Sequence, residues 1–151
     1  MRREYPEAPM IGIGAVILHE GKVLLIQRGK EPLKGEWSIP GGALELGETL
    51  HQGIQREVRE ETGLEVEPLQ IIEVLDRIVR DEQGAVRFHY VLVDFLCRVT
   101  GGELFCSSDA ADAVWASREE LNSHSKYRIA PFTVAVIEKA FSGRKSRSNP
   151  L

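Results

Sequence analysis

The chain has 151 residues, 42% hydrophobic and 28% charged, with a formal net charge of -4 at pH 7. That size suits one domain with enough chain to bury a core, in the compositional range of an ordinary soluble globular protein. A negative balance excludes general attraction to nucleic acid or anionic membranes, no apolar stretch approaches a bilayer span, and two cysteines, Cys97 and Cys106, form neither a disulfide framework nor a metal-type spacing.

Residues 1–9 are polar and carry two prolines, so they are expected to form an arm ahead of the fold. They have no apolar signal core, which makes a reducing cytoplasm the expected location. Ile11–Leu18 and Lys22–Gln27 are apolar, β-rich runs around His19-Glu20-Gly21, a hairpin signal. Gly29 to Pro40, with two glycines and two prolines, reads as a loop, and Gly41-Gly42 permits close backbone approach. A helix is predicted from about Thr49, with Gly47 or Thr49 in the cap region and Glu48 at the positive end of the dipole. Its apolar stripe is Leu50, Ile54 and Val58, and Gly63 has the place of a C-cap glycine.

Leu69–Val79 and Arg87–Val99 have strand character and flank the turn Asp81-Glu-Gln-Gly84, predicting a second hairpin. Ala113–Ala116 is a short strand. Ser117-Arg-Glu-Glu120 matches a capping box and opens a helix. Pro131 fits the first turn of a last helix containing Val134, Ile137 and Phe141. The tail from Gly143, with Arg144, Lys145 and Arg147, is expected to be solvated. No repeat or linker interrupts the chain. The order of elements predicts an α+β or mixed α/β fold in a single domain, 1–151.

The chemistry concentrates in Gly42-Ala-Leu-Glu-Leu-Gly-Glu48 and Arg56-Glu57-Val58-Arg59-Glu60-Glu61-Thr62-Gly63-Leu64. On a helix, residues three and four apart share a face, so Glu57 lies above Glu60 and Glu61. Like charges at this spacing repel, and hard divalent cations are natural partners for clustered carboxylates. The competing explanation is a solvated helix face with Arg56 paired to Glu60. The full spacing decides between them. Gly42, Glu48, Arg56, Glu57, Val58, Glu60, Glu61, Gly63 and Leu64 fill every fixed position of a pattern that resembles the signature of the Nudix hydrolases, and the preceding Lys34-Gly35-Glu36-Trp37 is similar to the stretch that leads into it.

The resemblance implies an α/β/α sandwich around a central mixed sheet. It also implies hydrolysis of a nucleoside diphosphate linked to another group, with Mg2+ or Mn2+, two or more ions. Metal ligands would be Glu57, Glu60, Glu61 and a carbonyl of Gly41 or Gly42. Glu57 and Glu60 are candidate catalytic groups, and Arg56 would orient a carboxylate. Asp109 is the preferred loop base and Asp112 the reserve. Substrate contacts are expected from Arg28 at a strand end, Arg77 near the second hairpin, the Gly42 backbone, and Trp37 if it stacks on a base. The chain is similar to compact ADP-ribose or ADP-sugar pyrophosphatases, implying ADP-ribose as substrate and AMP and ribose 5-phosphate as products. It departs from many of them in having no proline between Pro68 and Pro131. A nucleoside triphosphate pyrophosphohydrolase and a non-catalytic ligand sensor are the alternatives. A small-molecule partner, no nucleic acid or membrane, and a homodimer of the kind common in the family complete the expectations.

Overall fold

The computed structural model describes residues 3–29, 33–105, 110–122 and 126–143. Its elements are β1 (Met10–His19), β2 (Lys22–Arg28), β3 (Trp37–Ser38), β4 (Gly41–Ala43), α1 (Leu50–Thr62), β5 (Leu64–Arg80), β6 (Val86–Gly102), β7 (Ala110–Ser117), α2 (Arg118–Leu121) and α3 (Pro131–Phe141). The strands run in the order β3-β2-β1-β6-β5, with β4 joined to β1 and β7 to β2. β1 and β6 are parallel, from Met10 opposite Tyr90 to Ile17 opposite Cys97. The hairpins β1–β2 and β5–β6 are antiparallel, so the sheet is mixed.

Alternation along the strands sends side chains to two faces. Ile13, Ala15 and Ile17 face α1 and pack with Ile54, Val58, Val93, Phe95 and Cys97. Val16 faces the other side with Leu25, Leu121 and the α3 residues Val136, Ile137 and Ala140. The sheet is thus held between α1 and the pair α2–α3. Burial pushes the Cys97 thiol up to about 12, so it is a small core residue and not a nucleophile.

The Thr49 side chain caps α1 by accepting from the Gln52 N–H, and the Gln52 side chain accepts from the Thr49 N–H. Gly63 ends the helix at φ 77, its N–H donating to the Arg59 carbonyl. Ser117 and Glu120 form the expected capping box on α2, and Pro131 is the first residue of α3.

Three local features differ from expectation. The loop after β2 contains β3 and β4, strands of two and three residues, too short to leave a periodic signal. β5 begins at Leu64 and passes through Pro68, where its register with β6 shifts; a proline is tolerated in a sheet at such an irregularity. The N-terminal arm is fastened: the Tyr5 N–H donates to the Arg87 carbonyl, the Tyr5 hydroxyl to Asp81, and Arg87 to Glu4. The tail cations Arg144, Lys145 and Arg147 lie outside the described residues. Among those described, no helix is long and apolar enough to cross a membrane.

Candidate active site

One guanidinium organises the acidic helix. Arg56 Nε lies 2.5 Å from Glu48 Oε2, and Nη2 donates to Glu48 Oε1 at 3.0 Å, a two-pronged bond. Nη1 donates to Glu57 Oε1 at 2.8 Å and to Glu60 Oε2 at 3.3 Å, while Nη2 also reaches the Ala43 carbonyl at 3.1 Å. A planar guanidinium is suited to such a fork. Hydrogen bonds from Arg56 and from the Glu45 N–H hold the Glu48 carboxyl below the usual carboxylate range. Glu48 raises Arg56 in turn, so this pair stays ionised well into acid.

The carboxylates then divide. Glu57 is 15% exposed and lies against Gly42, where an added Cβ would meet its carboxylate carbon at 2.5 Å. Glu61 accepts from the Gly41 N–H at 2.8 Å. Both therefore converge on β4. Glu60 is 60% exposed and, among the described residues, meets the cluster through Arg56. Among the described residues, no three acidic, histidine or cysteine side chains already form a metal cage.

The donor chemistry still fits a divalent cation. Four carboxylates, of Glu45, Glu48, Glu57 and Glu60, contact one guanidinium, leaving an excess of negative charge. Mg2+ uses one or two carboxylates, keeps several waters and takes substrate phosphate, so it needs no closed protein cage. β4 adds oxygen. Leu44 donates to Ile11 and Ala15 to Pro40 across the β1–β4 ladder. By strand alternation the Gly41 carbonyl is on the edge turned away from β1, beside the N–H that meets Glu61.

The opposite side of β4 borders a cavity of about 390 Å³, a size suited to a small-molecule ligand. Its floor is Gly12 and Gly14, where a Cβ at either position would collide with Leu92 or Asp94. Ile39, Tyr90 and Leu92 form walls, Phe132 and Thr133 enter from the first turn of α3, and Arg3, Arg28 and Arg77 bring positive charge. Asp94, on β6 opposite Gly14, is 7% exposed. Burial, reinforced by Glu73, pushes it up to about 6. The sequence reading passed over Asp94. Its signal is a lone acid inside the apolar run Val91-Leu-Val-Asp-Phe-Leu-Cys97, where an ionisable group is costly.

Other expected contributors fall in different places. Arg28 and Arg77 line the cavity, and the Arg77 guanidinium lies 5.0 Å from the centre of the Phe132 ring. Trp37 does not border it; its ring packs edge-on to Tyr127 at 5.1 Å. Asp112 is exposed, and its Oδ1 accepts from the Ala113 N–H at 2.8 Å. Asp109 lies outside the described residues.

The site is thus an acidic helix and a glycine strand beside a cavity bordered by three arginines. Residues 8–138 match the NUDIX domain, and the chain belongs to the Nudix family. It is 36% identical over 105 residues to the ADP-ribose pyrophosphatase of Methanocaldococcus jannaschii, covering 70% of this chain and 60% of that protein. It is also 36% identical over 142 residues to the 8-oxo-dGDP phosphatase NUDT18 of Homo sapiens, covering 91% of this chain and 40% of that one. The chain thus spans less than two thirds of the length of these curated relatives. Among solved structures, the MutT Nudix hydrolase from Burkholderia pseudomallei superposes with a TM-score of 0.74 at 26% identity, covering 88% of this chain and 98% of the other. An ADP-ribose pyrophosphatase from Streptococcus suis 89-1591 gives 0.70 at 26% identity, covering 93% and 95%.

Proposed function

We propose that this chain hydrolyses the pyrophosphate bond of a nucleoside diphosphate joined to a second group, with two or more Mg2+ ions, Mn2+ being the substitute. The observation that carries the reading is the position of β4. One side of it meets Glu57 and Glu61, and its glycines line the cationic cavity on the other. When bound, the ions supply Lewis acidity to the phosphoryl oxygens and bring the pKa of water toward neutrality. Glu57, Glu61 and the Gly41 carbonyl would hold them, with Glu60 completing the set from the exposed side. Arg56 is a positioning residue: it fixes Glu57 and ties the helix to Glu48 and Ala43. Arg28 and Arg77 balance substrate phosphate charge, and the Gly42 backbone lets the phosphates approach.

Glu57 or Glu60 takes the proton of the attacking water, and Asp109 remains the candidate from the loop. Asp112 is a weaker reserve, because its carboxylate is engaged by its own neighbour and does not border the cavity. A catalyst is favoured over a non-catalytic sensor because the acidic motif is complete. A single domain, a cytoplasmic location and a homodimer belong to the same proposal, and sedimentation velocity measures the last.

Two substrates have support. ADP-ribose, giving AMP and ribose 5-phosphate, follows from likeness to proteins named for that activity. An oxidised guanine nucleotide follows from likeness, over most of this chain, to a protein named an 8-oxo-dGDP phosphatase. The test is product analysis by chromatography with Mg2+ over ADP-ribose, other ADP-sugars, guanine nucleotides including 8-oxo-dGDP, dinucleoside polyphosphates and nucleoside triphosphates. Metal-dependent release of a nucleoside monophosphate is expected; absence of any cleavage across the panel overturns the proposal.

A further inference from the structure

Asp94 has a burden that the hydrolytic site does not explain. It is more than nine-tenths buried, and its carboxylate lies against the bare backbone of Gly14 at the edge of the cavity. An ionisable group in such surroundings is costly unless something pairs with it. The carboxylate borders the cavity directly above Gly14, where even a methyl group would collide with it. The lack of side chains at Gly12 and Gly14 keeps that approach open.

We infer that Asp94 is a specificity-determining residue that accepts two adjacent N–H donors from a guanine-type base. The surroundings favour a flat heteroaromatic ring over a hydrated sugar. The floor is bare backbone, and the walls are Ile39, Tyr90 and Leu92. A guanine edge offers its ring N1–H beside the 2-amino group, two parallel donors that match the two oxygens of a carboxylate. Hypoxanthine keeps the ring N–H but lacks the amino group. Adenine presents a ring acceptor beside its amino group, which sets a lone pair against one carboxylate oxygen. A buried acceptor left unpaired is what makes such a site reject the wrong base. The cationic side chains of Arg28 and Arg77 border the same cavity, where the diphosphate of such a nucleotide carries its charge. This names the base class for the proposed hydrolytic site and depends on that proposal only for its kinetic readout.

The test separates binding from turnover. Calorimetry without metal compares GDP, IDP and ADP on the wild-type chain and on Asp94→Asn. GDP should bind at least about tenfold more tightly than either other nucleotide, and Asp94→Asn should bring the three within about threefold. With Mg2+, kcat/KM for GDP-ribose over ADP-ribose should follow the same ratio. Guanine selectivity that Asp94→Asn abolishes supports the inference even if no substrate is cleaved, in which case only the hydrolytic proposal falls. Equal binding of the three by the wild-type chain, a preference for ADP, or selectivity unchanged in Asp94→Asn overturns it. The wild-type comparison stands independently of how well the variant folds.

Discussion

At Gly42 the space that a methyl group would need is taken by the Glu57 carboxylate. Gly42→Ala should therefore act through Glu57 and lower metal-dependent turnover about as far as Glu57→Gln, by about 100-fold or more. Glu57→Gln and Glu61→Gln should keep the wild-type circular dichroism spectrum, since these charges are not core; near-normal rates in both would remove the metal site. Asp94 makes a different prediction. Its pKa is raised from 3.8 to about 6, so the fold favours the protonated form. Its contribution to stability is best below about pH 4, declines as pH rises to about 6, and is flat above. At about 1.4 kcal/mol per pH unit, the ionised form costs the fold on the order of 3 kcal/mol. Asp94→Asn should thus raise the melting temperature at pH 8, with a gain that shrinks toward pH 4. Glu73 and Arg77 on β5, Arg28 on β2 and Arg3 on the arm are the charged neighbours to hold constant in that comparison. The placement of Glu57, Glu60 and Glu61 on one helix was legible in sequence because it follows a local helical spacing. Asp94 was not, because the glycine floor that exposes it comes from a strand some eighty residues away.

α1 is rigid for reasons visible in its ends. The Thr49–Gln52 box closes one end, and a left-handed Gly63 closes the other. The Gly63 cap was read from the sequence and Thr49 was one of two N-cap candidates beside Gly47, while Gln52 as the reciprocal partner was not foreseen. At Gly63 a side chain would also run into the Phe105 ring and the Glu103 carbonyl. Gly63→Ala should lose about 1–2 kcal/mol or more from the positive φ alone, read by urea denaturation, and Phe105 should shift with it. β4 shows the limit of reading elements from sequence. Three residues hold no periodicity, and their strand character comes from pairing with Ile13 and from contacts with α1. That short strand nevertheless joins the acidic helix to the cavity.

Across the whole molecule, the parallel pairing of β1 with β6 decides where the cavity lies. The hairpins were recognisable from local runs and turns, but this pairing links segments eighty residues apart, about half the chain. The mixed sheet entered the sequence reading through family resemblance, not through residue periodicity. The net charge of -4 is modest beside the acidic concentration around Arg56, so divalent cations should bind there without a general polyanion response. Saturating a site to 100 times its Kd stabilises a fold by about 2.7 kcal/mol. Mg2+ should raise the wild-type melting temperature by several degrees and leave that of Glu57→Gln nearly unchanged, measured by scanning calorimetry.

The anchoring of Glu4 and Tyr5 to the 81–87 turn, with Arg3 bordering the cavity, has a practical corollary. A purification tag fused ahead of residue 1 would end three positions from Arg3, a side chain that borders the cavity. Polyhistidine there would add both bulk and an adventitious binder of the very cations under assay. Kinetic constants should accordingly be compared before and after tag removal, or on protein carrying its handle at the other terminus.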